Sequence, residues 1–335
     1  MSGAVLVPLD NVPSSLKGAA LAIGNFDGMH RGHHALFAAA RSEADARGLS
    51  ALMLTFEPHP RTVLKPGEPL FRLTPIEAKA RLAAAFGLDG VVVARFDQEF
   101  AQMSAADFVR GVLVERLAIA AVIVGHDFQF GHDRLGGPAF LAAAGSRHAF
   151  STSVVGAVTD PIGTPYSASR IRRLLAMGEI AAANDELGYR WFITGEVEHG
   201  EKRGRALGFP TANIRLAADC GLALGIYAVT LTRADGTLLP AVASYGRRPT
   251  FDNGAVLLEV HVFDFADDLY GERVAVTFHA HLRDEKRFAS IEALIEEMDR
   301  DCLAARAMIG AAKPGSVVDI RLACGGALAG DPPIA

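Results

Sequence analysis

Cysteine is scarce in this chain: Cys220, Cys302 and Cys324 are the only three, odd in number and far apart, with no CxxC pair among them. That excludes a disulfide framework or a structural zinc knot as the organising device and leads us to expect reduced thiols in a cytoplasmic protein. Long apolar runs are also missing. The longest, such as Leu117 to Val124, fall well short of the roughly 18 residues that span a bilayer, and the opening MSGAVLVPLDNVPSSL carries no basic stretch of the kind that starts an export signal. Neither membrane insertion nor export is therefore expected. Net positive charge is absent too: 33 Lys and Arg against 38 Asp and Glu leave −5, no basis for holding long nucleic acid or an acidic membrane surface. A small charged partner stays open. What is present, 50% hydrophobic and 21% charged residues in a length of 335, describes a folded chain of about two domains.

The first half alternates short apolar runs with Ala-rich helical stretches. Ala19 to Gly24, Ala51 to Phe56, Gly90 to Val93 and Ala121 to Gly125 read as buried strands, each followed by helical periodicity, which predicts an α/β domain with a Rossmann-like parallel sheet covered on both faces. Such sheets bind ligands outside the carboxyl ends of their strands, so the chemistry is expected in the loops after these four runs. From about Tyr189 the rhythm changes. Trp191 to Val197, Gly225 to Arg233, Leu239 to Ser244, Val256 to Phe263 and Arg273 to His281 read as strands separated by turns, with Asp235-Gly236 a hairpin signal. Ser290 then caps an amphipathic helix through about Arg306. The second half is expected to be a small antiparallel barrel closed by a helix. The boundary is placed near Gly188, giving domains 1–187 and 188–310, and the Gly- and Pro-rich 311–335 is expected to fray. No internal repeat is present.

Two tracts carry chemistry. Gly24-Asn25-Phe26-Asp27-Gly28-Met29-His30-Arg31-Gly32-His33 ends a strand and opens a helix, where unpaired N–H groups and the positive dipole end face a phosphate. His30 and His33 are three apart on the first turn, so both imidazoles could donate to one triphosphate as charge builds. A lone HxxH is as readily a helix cap, and without HExxH or a third ligand zinc is the weaker reading. The second tract, Gly200-Glu201-Lys202-Arg203-Gly204-Arg205-Ala206-Leu207-Gly208-Phe209-Pro210-Thr211-Ala212-Asn213, combines glycines and cations that can surround phosphates with two oxygen donors, Thr211 and Asn213, suited to Mg²⁺. It is not GxxxxGK[ST], and a basic turn by itself is normally solvated surface.

Taken together, these tracts resemble bacterial bifunctional riboflavin kinase/FAD synthetases. Gly24–His33 is similar to that family's extended HxGH loop, GNFDGxHxGH. Phe56-Glu57-Pro58-His59-Pro60 stands where it has FxPHP, Val124 to Gly131 with Arg134 and Gly136 where it has VGxDFxFGxxRxG, and Ser167 to Arg172 where it has SSTxIR. Gly200–Asn213 resembles the kinase string GxxxGRxLGFPTAN, followed by likenesses to GxRPTF at Tyr245–Phe251, VEVH around Glu259, DF…DLYG from Asp264 and LRxExxF at Arg283–Phe288. The resemblance covers roughly residues 18 to 310.

It implies an HxGH-type nucleotidyltransferase domain, then a six-stranded riboflavin kinase barrel with a terminal helix. In the barrel, ATP would phosphorylate riboflavin to FMN, with Glu259 as base, Gly200, Lys202, Gly204, Arg205, Gly208 and Pro210 around the phosphates, and Thr211 and Asn213 holding Mg²⁺, with Mn²⁺ the other candidate. In the first domain, a second ATP would adenylylate FMN to FAD plus pyrophosphate. His30, His33 and Arg172 would stabilise the triphosphate there, beside Gly24, Asn25, Phe26, Asp27, Gly28, Ser167 and Ser169. Flavin is assigned to Phe56, Pro58, Pro60, Asp127 and Phe128 in the first domain and to Arg283 and Phe288 in the second. The partners are then riboflavin, FMN and ATP, with no nucleic acid and no membrane, and the oligomeric state is left between monomer and weak homo-oligomer.

The sequence departs from the family at Ala168, which replaces the second Ser of SSTxIR, at Ser169, which replaces its Thr, and at Ser244, where Asn is common. Ala168 is the best support for the main rival, a riboflavin kinase whose impaired adenylyltransferase module serves as a flavin-binding or regulatory domain. An aminoacyl-tRNA synthetase fragment would need a KMSKS-type loop and a basic face. A non-catalytic flavin binder would not need Glu259 together with the glycine-basic loop.

Overall fold

The computed structural model describes residues 4–200, 208–247, 256–312 and 315–324. Its contacts separate two compact units, the first ending at Ala168 and the second starting at Ser169.

In the first unit β1 (Val5–Pro8), β2 (Ala20–Ile23), β3 (Ala51–Glu57), β4 (Gly90–Arg95), β5 (Ala121–Gly125) and β6 (Ser151–Val155) form one sheet in the order β1-β4-β3-β2-β5-β6. Every pairing is parallel. The four central strands are the apolar runs seen in the sequence. The two edge strands escape a search for continuous apolar runs because each buries little of itself, and only strands covered on both faces read as unbroken hydrophobic stretches. The helices are α1 (Arg31–Arg47), α2 (Pro60–Leu64), α3 (Ile76–Ala85), α4 (Gln98–Ala101), α5 (Ala105–Asp107, continued by a π-helical Phe108–Arg116) and α6 (Pro138–His148). On one face Leu21, Ile23, Leu52, Leu54, Val92 and Val122 pack with Val109, Val112, Leu113 and Leu141. The alternate residues Ala20, Ala22, Ala51 and Ala121 are buried and small, and α1 lies along β2, β5 and β3, so strand alternation covers both faces. From β2 the chain steps outward through β3 to β4, whereas β5 returns to the other side of β2. The loops after β2 and β5 thus flank the topological switch point, the usual ligand crevice of an open α/β sheet.

The second unit holds α7 (Ala168–Ala176, all but its first residue), α8 (Ile180–Leu187), a barrel and two C-terminal helices. The barrel strands are β7 (Phe192–Glu198), β8 (Ala212–Arg215), β9 (Gly225–Thr232), β10 (Leu238–Arg247), β11 (Val256–Val262) and β12 (Arg273–Arg283), closed in the order β10-β11-β8-β7-β12-β9. All pairings are antiparallel. Asp235-Gly236 does turn a hairpin: Gly236 has φ +89°, and the Asp235 carboxylate accepts from the Thr237 N–H at 2.8 Å. β8, four residues long, is the strand the sequence pattern hides, because it is short and its first two residues close the FPTAN string. Asn184 explains why α8 packs with the barrel rather than with the sheet: its Oδ1 accepts from the Trp191 N–H at 2.8 Å and its Nδ2 donates to the Phe278 carbonyl at 3.0 Å. The packing division therefore comes about twenty residues before the boundary drawn at Gly188.

Ser290 caps α9 (Ile291–Ala311) as expected, its hydroxyl accepting from the Ala293 N–H at 3.2 Å. Within the stretch 311–335, Val317–Cys324 forms a further helix, α10. Asp319 in that helix accepts from the Arg190 N–H at 2.8 Å, an anchor 129 residues away that no local pattern could announce.

Candidate active sites

The loop after β2 is held in a left-handed conformation at Phe26 (φ 46°), Gly28 (φ 83°) and Met29 (φ 39°). Such backbone needs support, and buried hydrogen bonds provide it. The Asp27 carboxylate, itself buried, accepts from the Thr74 N–H at 2.9 Å, and Gly28 N–H donates to the Thr74 hydroxyl at 2.9 Å. The Asn25 carbonyl accepts from the Lys79 ammonium at 2.7 Å and from the Thr55 hydroxyl at 3.0 Å. His30 is the residue before α1, and its ring stacks on that of His33, centroids 3.8 Å apart and 22° from parallel. His33 also meets the Phe26 ring edge-on at 5.2 Å. Gly32 makes the stack possible: a Cβ there would stand 3.0 Å from the His30 ring.

Burial, with His34 nearby, pushes the His30 imidazole down to about 4. Burial and the neighbouring His30 push His33 well below its ordinary value. The loop therefore presents two neutral rings, and the Nδ1 of each is buried without a hydrogen-bond partner among the described residues. A neutral imidazole offers one N–H donor and gains a proton readily when an anion arrives.

The other first-unit candidates divide. Asp127 and Pro58 are exposed, and Pro60 and Phe128 are half-buried. Asp127 and Phe128 follow β5, on the far side of the switch point from the β2 loop. Phe56 is a core residue, packed 6.0 Å from Phe96 and 5.9 Å from Phe100 between ring centroids. Phe128 stacks on Phe130 at 5.5 Å. Glu57 forms a bidentate pair with Arg72, at 3.0 and 2.8 Å. Although burial opposes ionisation there, that pair holds Glu57 below the usual carboxylate range. Ser167 is half-buried in the first unit. Ser169, exposed, and Arg172, half-buried, lie on the first turns of α7 in the second unit, where Arg170 is tied to the buried Glu186 of α8 at 2.7 Å.

In the barrel two of the candidates, Asn213 and Glu259, fall on one cross-strand row. Glu198 of β7 pairs with Asn213 of β8, Asn213 with Glu259 of β11, and Glu259 with Ser244 of β10. Directly opposed residues share a face of the sheet, so a carboxamide, a carboxylate and a hydroxyl stand side by side, while Ile214, Leu258 and Tyr245 of the adjoining row are buried. Asn213 is buried; Thr211, Glu259 and Ser244 are half-buried. Gly200 lies directly over Asn213, since a Cβ there would stand 2.2 Å from its Nδ2. After Gly208, with φ +88°, the Pro210 carbonyl accepts from His261 Nδ1 at 2.8 Å, which fixes that nitrogen as the protonated one. Arg283 is held by Asp301 of α9 in a bidentate pair at 2.6 and 2.9 Å and faces the Phe288 ring at 5.8 Å. Lys202, Gly204 and Arg205 lie outside the described residues. Among the described residues no cluster of three or more His, Cys, Asp or Glu could hold a metal. A metal held by the two oxygen donors read from the sequence would rest on the neutral oxygens of Asn213, in this row, and of Thr211, just before β8.

Sequence reasoning missed the segment beneath the first loop: Thr55, Arg72, Thr74 and Lys79. A signal for Lys79 was available. Ile76, Lys79, Leu82 and Ala83 follow helical spacing, which puts a lysine on a buried apolar face.

Residues 12–167 match the FAD synthetase family model and residues 187–309 the riboflavin kinase model. The bifunctional riboflavin kinase/FMN adenylyltransferase of Escherichia coli K12 is 38% identical over 298 residues, 89% of this chain and 95% of the relative. That of Pseudomonas fluorescens is 40% identical over 301 residues, 90% and 96% of the two. A crystal structure described as a macrolide-efflux protein from Streptococcus pneumoniae superposes with a TM-score of 0.79 at 28% identity, over 90% of this chain and 99% of that one. Among the described residues here, no helix is long and apolar enough to cross a membrane.

Proposed function

We infer two successive reactions for a chain that belongs to the bifunctional riboflavin kinase/FMN adenylyltransferase family: it phosphorylates riboflavin with ATP to give FMN, and it adenylylates FMN with ATP to give FAD and pyrophosphate. The observation that carries the assignment of sites is the placing of each motif, the paired imidazoles at a sheet's switch point and the Glu259 carboxylate beside Asn213 on a barrel strand.

In the barrel, Glu259 accepts the proton of the ribityl 5′-hydroxyl as its oxygen bonds to the γ-phosphorus and ADP leaves. A carboxylate within hydrogen-bond reach is sufficient as base, because phosphoryl transfer is mostly positioning and charge neutralisation. The oxygens of Thr211 and Asn213 fit Mg²⁺, or Mn²⁺ in its place, which prefers a few protein oxygens together with phosphate and water. When bound, the ion supplies neutralisation of phosphate charge. In the first unit the FMN phosphate oxygen attacks the α-phosphorus of ATP and pyrophosphate departs, so no protein nucleophile is required. His30 and His33 bind the triphosphate and hold the charge that develops on it. Arg172 and Ser169, which belong to the second unit, are read from their motif alone as phosphate-contacting groups, a guanidinium being suited to bidentate phosphate contact. Flavin binding falls to the apolar loop residues Pro58, Pro60 and Phe128 and, in the barrel, to Phe288 beside Arg283. For Phe56 the role is to back that loop from the core.

The test is a chromatographic time course of the purified protein with riboflavin, ATP and Mg²⁺. FMN rising before FAD is the expected result. FMN accumulating without FAD would favour a kinase with an impaired first unit, and no consumption of riboflavin would overturn the barrel assignment.

A further inference from the structure

Lys79 has no part in the mechanism above, yet it is the most completely buried charged side chain of the first unit, with no exposed surface at all. A lysine in that position costs stability unless its ammonium is well bonded. Here Nζ donates to the Asn25 carbonyl at 2.7 Å and to the Thr55 hydroxyl at 2.8 Å, and the same hydroxyl donates back to the Asn25 carbonyl at 3.0 Å. One backbone carbonyl of the β2 loop is thereby held twice. Two residues along, Asp27 and Gly28 are held by Thr74. Thr74, just ahead of α3, and Lys79, within it, thus grip the loop at Asn25, Asp27 and Gly28, but only Lys79 brings a charge.

The charge matters because of where it lies. Lys79 faces Asp27 from the loop and Glu57 from the end of β3, which favour its protonated form, and Arg72, which opposes it. From α1 it faces His33, whose imidazole it helps keep neutral. A packing role alone would be met by methionine or leucine at a helical core position.

We propose that Lys79 is a positioning residue for FMN adenylylation, its buried ammonium fixing the Asn25 carbonyl and adding positive charge beneath the loop that receives the triphosphate. The proposal rests on the reading of the β2 loop as the adenylyltransferase site. Burial and Arg72 lower the Lys79 ammonium from 10.5 to about 8. A group needed in its protonated form gives activity below its pKa and loses it as pH rises through that value.

The experiment measures kcat and KM for FAD formation from supplied FMN and ATP, between pH 6 and 10, in the full-length protein and in Lys79→Met, Lys79→Gln and His33→Ala. Kinase activity and thermal melting are followed in each. For Lys79→Met we expect kcat/KM for ATP to fall at least about tenfold, kinase activity to be unchanged, and the alkaline decline near pH 8 to disappear. Lys79→Gln restores a donor without the charge; it should recover part of the rate and none of the pH dependence. If His33→Ala abolishes FAD formation while both Lys79 variants keep the wild-type rate and pH profile, the Lys79 proposal falls and the site reading stands. If His33→Ala leaves FAD formation intact, the site reading itself fails. If the Lys79 variants lose activity only in step with the melting of the first unit, and the alkaline decline persists in what remains, the residue serves the fold alone and the proposal is overturned.

Discussion

In the proposed assignment the two sites meet the same problem, holding ATP phosphates, with opposite materials. In the first unit the loop is the structure to be stabilised: three of its residues have positive φ, and it holds its shape through buried side chains from elsewhere, Thr55, Thr74 and Lys79. In the barrel, antiparallel register sets Asn213, Glu259 and Ser244 beside one another. The first site presents neutral imidazoles, suited to stabilising charge that develops on phosphate. The second presents a carboxylate, suited to removing a proton. Two reactions of one nucleotide thus call on a strained, well-supported loop in one case and a regular ladder in the other.

The sharpest way to break this comparison is to remove the carboxylate. Glu259→Ala should lower FMN formation by about 10²- to 10⁴-fold, the range for a lost general base, and leave FAD synthesis from supplied FMN untouched. Loss of both activities would deny that the two sites are separate. Next in size, His33→Ala should cost FAD synthesis about 10²- to 10³-fold, as removal of one preorganised donor does, with kinase activity retained. An unchanged rate of FAD formation would remove the paired imidazoles from the mechanism.

A smaller effect sharpens the picture of the ladder. Gly200→Ala would place a Cβ 2.2 Å from the Asn213 amide, a distance that forces the side chain to move. The expected result is a rise of about tenfold in KM for ATP in the kinase reaction, the equivalent of about 1.4 kcal/mol of binding, without loss of the barrel fold. A KM that stays constant would mean that Asn213 takes no part in holding the nucleotide.

How much could be read in advance follows the same division. The central strands of the sheet, the Asp235-Gly236 hairpin and the Ser290 cap were legible because each is written in consecutive residues with its own periodicity or turn chemistry. The strings that hold His30, His33 and Glu259 are equally local, and the structure places the first two at the start of α1 and the third on β11. The edge strands β1 and β6 were not legible, being too short and too exposed to carry an apolar run, and β8 was hidden by its shortness and by the motif that its first two residues close. Nor was the brace of the first loop. Thr74 meets Asp27 across 47 positions and Lys79 meets Asn25 across 54, and only the fold brings them together. Helix α10 fails for the same reason, since its anchor at Arg190 is a tertiary contact.

The smallest effect expected concerns stability in acid, where the two units again differ. His30 is held near 4 in the folded chain against 6.5 for an unconstrained imidazole, chiefly by burial, and His33 is displaced in the same direction. Between about pH 6.5 and 4 the unfolded chain therefore binds more protons at these positions than the folded one, and stability falls as pH drops through that window. Among the described residues of the barrel unit one such group, His279, is also lowered to about 4 by burial and by Arg190, against a stacked pair in the first. Hydrogen exchange followed separately in each unit should show the first loosening more on passing from pH 7 to pH 5. With about 2–4 °C per kcal/mol for units of this size, a shift of a few degrees in its melting is expected. His30→Ala should flatten that acid limb in the first unit and leave the barrel's unchanged. An acid limb of the same slope in the variant would show that the buried stack is not where the proton uptake occurs, and the contrast between a loop held by desolvated rings and a ladder held by register would then rest on geometry alone.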